Sequence, residues 1–299
     1  MRTLRQSLSV TVILALLGGL GSAVVAQSEE SNQQSAGASL TTSLEYGDDP
    51  QQGIHVYEPA PRPAPRPAVV FFSGGGYDIG DPLWVLDSAR QMAEAGYVAF
   101  AAGYRLHDPS TGTNLWPAQL DDAQAAVRWI RAHAADYGVD PDRICALGHS
   151  SGGHLASLVG MTDGRDTSDP DIGGISSRVT CVVSVSGDVD LTIGNPYPEQ
   201  TAVYESLLGA SYGDDPAAWR AVSPAYLVDA ETVPILIIHG TRDTNVDVQA
   251  SRNLAAALAE AEREFVYAEM DADHFDIVEQ PPTLPLTQTF LAYQLHPEE

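Results

Sequence analysis

The chain has 299 residues, 44% of them hydrophobic, enough to bury the core of one large α/β domain. Its formal charge is −25, from 40 acidic against 15 basic residues, and every basic residue is an arginine. Such an acidic surface argues against nucleic acid and anionic membranes as partners.

Residues 1–26 read as an export signal. Arg2 and Arg5 precede an apolar run from Val10 to Leu17, and the small residues Val24-Val25-Ala26 suit cleavage ahead of Gln27. That run is short of the roughly 20 residues a membrane span needs. The expectation is a secreted or periplasmic protein with no stable membrane association after cleavage. Residues 27–38, rich in Ser, Gln, Glu and Asn, read as a disordered linker, and 39–299 as one folded domain.

Leu40–Tyr46 and Gly53–Tyr57 suit two early antiparallel strands. Prolines at 59, 61, 63, 65 and 67 then predict a stiff extended connector and forbid a central strand there. Ala68–Phe72 is apolar throughout, as a strand buried on both faces must be, and it runs into Ser73-Gly74-Gly75-Gly76-Tyr77. Helical spacing follows from Pro82 to Ala95, then a buried strand from Tyr97 to Ala102. Pro117 opens a helix with the stripe Leu120, Ala123, Val127, Ile130 and Ala134, ended by Gly138. The strand Arg143–Leu147 leads into Gly148-His149-Ser150-Ser151-Gly152 and an apolar helix. Val179–Val185 is a further strand. Gly187–Pro224 breaks the pattern, with Tyr197, Tyr204, Tyr212 and Trp219 among acids and glycines, and reads as a small cap. Strand Val233–Ile238, helix Val248–Ala261, strand Phe265–Ala268 and helix Pro285–Leu295 complete the chain. Alternating strands and helices predict a mostly parallel sheet covered by helices on both faces. Cys145 and Cys181 lie in apolar runs; they are small buried hydrophobes or, in an exported chain, a disulfide.

A strand, a Gly-x-Ser-x-Gly turn and a helix, in that order, form the context of a nucleophile elbow at Ser150. A serine hydroxyl needs a base to take its proton, and the base needs an acid to orient it. Asp243 fills the acid's place, on the loop after the strand that ends in Ile235-Leu236-Ile237-Ile238; Asp247 is a close rival and Asp188 and Asp190 are distant ones. His274, just after the last strand, fills the base's place. Of eight histidines, only it and His296 lie beyond Asp243. His149 and His154 flank the elbow and are expected to shape it. Backbone donors for an oxyanion are expected at Ser151 and in the glycine turn, at Gly75 and Gly76 ahead of Gly74. Tyr77, Trp84 and Trp116 are candidates to line a substrate pocket. No cofactor is required, and no metal is expected: Asp163, Asp166, Asp169 and Asp171 miss the spacing of a calcium-binding loop.

From about Ala68 to the end, the chain resembles an α/β-hydrolase of the esterase/lipase superfamily. It is most similar to the bacterial acetyl-esterase and feruloyl/acetyl-xylan esterase-like group, close to the hormone-sensitive-lipase branch. The resemblance rests on Ser73–Tyr77, on Trp116-Pro117-Ala118-Gln119 with Asp121 and Asp122, and on Tyr137–Ile144. It rests further on Gly148–His154, His239-Gly240-Thr241-Arg242-Asp243 and His274-Phe275. It implies a serine carboxylic-ester hydrolase acting through an acyl-enzyme on short-chain, feruloyl or acetyl-polysaccharide esters, whether small or polymer-derived. Amide hydrolysis of the arylformamidase or peptidase type, polyester hydrolysis and a non-enzymatic binding role are the alternatives. One departure stands out: Ser73 occupies the place of the family's His before the glycines, which implies a retuned oxyanion turn.

Overall fold

The structure, a computed structural model, describes residues 39–60, 65–164, 172–193 and 198–296. The expected signal (1–26) and linker (27–38) lie outside the described residues, as do Tyr197, Asp166, Asp169 and Asp171.

The strands are β1 (Ser39–Glu45), β2 (Gly53–Glu58), β3 (Arg66–Phe72), β4 (Val98–Ala102), β5 (Val139–His149), β6 (Cys181–Val185), β7 (Ile235–Gly240) and β8 (Phe265–Met270). The helices are α1 (Leu86–Glu94), α2 (Ala118–Ala132), α3 (Ser151–Met161), α4 (Pro198–Leu208), α5 (Pro216–Ala221), α6 (Val248–Glu260) and α7 (Thr283–Leu295). Among the described residues the strands form one sheet in the order β1-β2-β4-β3-β5-β6-β7-β8. The β1–β2 and β2–β4 pairs are antiparallel, and every later pair is parallel.

Strand alternation divides the core in two. Val70, Phe72, Ala146, Val182 and Ile237 face one side, where α2, α3 and α6 supply Val127, Leu155 and Leu254. Val69, Phe71, Val183, Leu236 and Ile238 face the other, covered by Met92 of α1 and Phe290 and Leu291 of α7. Both faces are filled, which is why these strands read as unbroken apolar runs.

Two expectations are corrected in detail, and one pair of alternatives is decided. β3 begins at Arg66 and so includes Pro67, inside the stretch read as a connector; the proline is tolerated because the pairing register to β5 shifts between Arg66 and Ala68. The helix expected from Pro82 is a 3₁₀ turn, Pro82–Val85, followed by α1; Asp81 starts the turn, its side chain accepting the Leu83 N–H and its carbonyl the Trp84 N–H. Of the two alternatives for the cysteines, the first holds: Cys145 and Cys181 are register partners on β5 and β6 and both are free, buried thiols.

Candidate active site

The elbow is built by close packing. Ser150 sits at φ 58°, ψ −130°, with its N–H donated to the Val185 carbonyl at 2.9 Å. A Cβ at Gly152 would lie 2.1 Å from the Phe72 carbonyl oxygen, and one at Gly148 would lie 2.2 Å from the Gly152 backbone. Only glycine lets strand, turn and helix approach so closely, and the left-handed backbone lifts the hydroxyl of half-buried Ser150 clear of the turn. Ser151 starts α3, so the first-turn N–H groups of that helix point toward the same space.

The three distant side chains meet at the carboxyl edge of the sheet. His274 Nε2 lies 3.0 Å from Ser150 Oγ, and His274 Nδ1 lies 2.7 Å from Asp243 Oδ2. The second Asp243 oxygen accepts the N–H groups of Asn245 at 2.8 Å and Val246 at 2.9 Å. Burial opposes ionisation of Asp243, but bonds from His239, His274 and the Val246 amide outweigh it and hold its carboxyl well below the usual range. Nδ1–H donated to a carboxylate leaves Nε2 as the acceptor facing the serine.

The rivals have other work. Asp247 caps α6 by accepting from Gln249 N at 2.8 Å. Asp190 accepts from Thr192 and from Asn253 Nδ2. Asp188 is buried near His274, and burial pushes its carboxyl up to about 6, with the Tyr204 hydroxyl and the His274 imidazole pulling the other way. It and Asp190 face a small chamber of about 50 Å³, walled by Leu191, Tyr204, Trp219 and Val246 rather than by Ser150 or His274. His296 ends α7 and packs on Tyr97 at 5.8 Å between ring centroids. Asp163 is occupied by Ser176, Ser177 and Arg128.

Two further histidines support the set. Buried His239 lies with Nε2 3.3 Å from Asp243 Oδ2, its Nδ1 held by Ser251 Oγ at 2.7 Å. His149 Nε2 bonds the carbonyl oxygen of His274 at 2.7 Å. His239 opens the same His-Gly-x-x-Asp run that carries Asp243, which was the available signal; nothing in sequence spacing points His149 at residue 274.

The glycine turn is closely held. Gly74 is the closest of its glycines to Ser150, since a Cβ there would lie 3.1 Å from Ser150 Cβ. Gly75 closes the turn by accepting Ile79 N–H at 3.1 Å, and its φ of 122° favours glycine. The Gly76 N–H is donated to Ser151 Oγ at 3.1 Å, so it reaches an oxyanion only by exchanging that partner. At Ser73, the departure noted in the sequence, the main-chain carbonyl accepts the Tyr104 hydroxyl at 2.8 Å.

Of the three aromatic candidates, Tyr77 is corrected. Tyr77 is 0% exposed and belongs to the core; its hydroxyl is shared between the Ser151 carbonyl at 3.1 Å and His154 Nδ1 at 2.5 Å. Trp116 packs against the core and stacks on His154 at 5.9 Å. Trp84 is 60% exposed on the 3₁₀ turn before α1.

This sheet order, with an elbow after β5, an acid after β7 and a histidine after β8, is that of an α/β-hydrolase. The chain belongs to the BD-FAE family, whose model matches residues 54–258. Among curated relatives, Esterase LipQ of Mycobacterium tuberculosis is 29% identical over 249 residues, which are 80% of this chain and 58% of LipQ. The chain thus spans little more than half the length of that relative. A thermophilic esterase of Thermogutta terrifontis superposes with a TM-score of 0.71 at 30% identity, covering 86% of this chain and 94% of that one. That esterase has also been captured with butyrate bound, with propionate bound and phosphonylated by sarin. A truncated carbohydrate esterase from gut microbiota shares the fold, with a TM-score of 0.75 at 24% identity over 88% of this chain and 99% of its own.

Proposed function

We propose that this chain is a carboxylic-ester hydrolase that works through an acyl-enzyme on Ser150. The observation that carries the reading is the 3.0 Å approach of His274 Nε2 to Ser150 Oγ, with Asp243 on the far ring nitrogen. His274 takes the serine proton as Oγ attacks the ester carbonyl, and the Asp243 carboxylate stabilises the imidazolium that forms. Negative charge moves to the former carbonyl oxygen. The Ser151 amide and the glycine turn supply its donors, Gly75 and Gly76 among them. His274 then gives its proton to the leaving alkoxide, and water, deprotonated by the same imidazole, releases the acid.

Short acyl groups are the proposed substrates, carried on small alcohols or on acetylated or feruloylated polysaccharide. The butyrate and propionate complexes of the Thermogutta esterase support the acyl length. The leader at 1–26 supports action outside the cytoplasm, where polymer-derived esters are met, after cleavage ahead of Gln27. The test is a series of p-nitrophenyl esters of rising chain length, with methyl ferulate and acetylated xylan, against wild type and Ser150→Ala. Acetate to butyrate should be turned over fastest, and the variant should lose essentially all turnover. Comparable turnover by Ser150→Ala would remove the nucleophile, and with it the mechanism.

A further inference from the structure

We infer that His149 is a positioning residue for the base, pinning the main chain of His274 to the strand end that carries Ser150; this rests on the triad reading above. His149 is the last residue of β5, and Ser150 follows it directly. Its Nε2–H donates to the His274 carbonyl at 2.7 Å, and the two rings lie 4.6 Å apart between centroids.

The need for such a tie follows from where His274 sits. It stands on a short loop leaving β8, not on the sheet itself. Neighbouring bonds hold the loop on either side: Arg242 N–H to the Ala272 carbonyl at 3.0 Å, and the Phe275 and Asp276 N–H groups to Asp273 Oδ1 at 3.0 and 2.8 Å. The bond from Nδ1 to Asp243 fixes one edge of the imidazole. An imidazole held at one nitrogen still pivots about that point as its backbone rocks. A second tie, at its own carbonyl, removes the pivot. Because the donor of that tie adjoins the nucleophile, strand β5 sets Ser150 and the height of His274 together. The gap between Nε2 and Oγ becomes a property of one rigid strand end.

The chemistry of His149 suits the task. A carbonyl only accepts, so Nε2 carries the proton and Nδ1 does not. Burial, and then the adjacent His274, lower its pKa to about 4, so the ring is neutral where an ester hydrolase of this kind turns over. A neutral donor leaves the imidazolium of His274 unopposed, whereas an arginine or lysine in its place would repel it.

Two substitutions test the tie. His149→Phe keeps a flat ring against His274 and removes the donor; His149→Gln keeps a neutral N–H donor. With p-nitrophenyl acetate, His149→Phe should lower kcat by roughly tenfold to a hundredfold, with KM within about twofold, because small misplacements of reacting groups cost rates of that order. His149→Gln should recover most of the loss. The rate of phosphonate labelling at Ser150 should follow kcat, since it reports base-assisted attack without ester binding. Thermal melting shows which variants fold; if His149→Phe does not, His149→Gln against His149→Leu gives the same contrast. Wild-type kcat without the donor, or equal losses with and without it, overturns the tie. Ser150→Ala, run alongside, separates the two ideas: turnover surviving there defeats the esterase mechanism, whereas an inactive Ser150→Ala beside a fully active His149→Phe defeats only the role of His149.

Discussion

Two groups of side chains share the carboxyl edge of the sheet and are held by opposite means. On one side His149, Ser150, His239, Asp243 and His274 are linked by directed hydrogen bonds between loops. On the other, Tyr77, Tyr104, Trp116, His154 and Tyr204 form an aromatic cluster beneath the glycine turn, most of its rings at edge-to-face or tilted angles about 6 Å apart. In the proposed mechanism the first group directs a proton, whereas the second packs beneath the turn. A change in the first should therefore move rate more than stability, and a change in the second the reverse.

The sharpest break of that contrast is Asp243→Asn. An amide still accepts from the Asn245 and Val246 N–H groups, but it no longer holds the productive tautomer of His274. Steady-state kinetics should show kcat lower by about 10⁴-fold, with little change in the far-ultraviolet spectrum, in line with the cost of misdirecting a triad histidine. On the aromatic side, Tyr77→Phe removes one hydroxyl and leaves the Ser151 carbonyl and His154 Nδ1 without its proton. Urea denaturation should register a loss of about 1–3 kcal/mol, while kcat changes less than tenfold. A large rise in KM instead would return Tyr77 to the substrate.

Acidification tests the two groups together. Burial, chiefly, holds the pKa of both His149 and His154 at about 4, whereas the unfolded chain binds a proton at each near 6.5. Stability is therefore lost as pH falls from 6.5 toward 4. Asp188, raised to about 6, acts oppositely, since the folded state takes up its proton first and gains stability as pH falls toward 4. Two groups of similar shift oppose one, so the urea midpoint should drop between pH 7 and pH 4. Asp188→Asn isolates the smaller contribution: it should stabilise the protein at pH 8 by on the order of 1–2 kcal/mol and lose that advantage by pH 4. The smallest effect belongs to Trp84→Ala, within about 0.5 kcal/mol by thermal melting, because its ring is mostly exposed.

The two sides also differ in how far their sequence betrays them. Ser150 stands out because an elbow demands glycine at 148 and 152, and that demand is local. Asp243 and His274 stand out because a parallel sheet delivers the ends of β7 and β8 to the same edge as the end of β5. The aromatic cluster gives no such signal. Tyr77 and Trp116 are written like pocket residues, adjacent to a glycine turn and a helix start, and their packing depends on distant α4, whose Tyr204 ring meets Tyr77 and whose Leu207 carbonyl accepts the Trp116 N–H. Pro67 in β3 was hidden for a related reason: a register shift with β5 spares the missing N–H, and no property of residues 59–67 announces it.

Residue order by itself determined the alternation of buried strands and helices, the elbow, and the order serine, acid, histidine along the chain. These are set by the period of apolar residues and by steric demands within a few positions. Tertiary structure alone decided that His149 reaches across to residue 274 and that Tyr77 is buried among the rings of Tyr104, Trp116, His154 and Tyr204. Those pairings join segments up to 125 positions apart, and a contact at that separation is fixed only when the sheet brings its strand ends together.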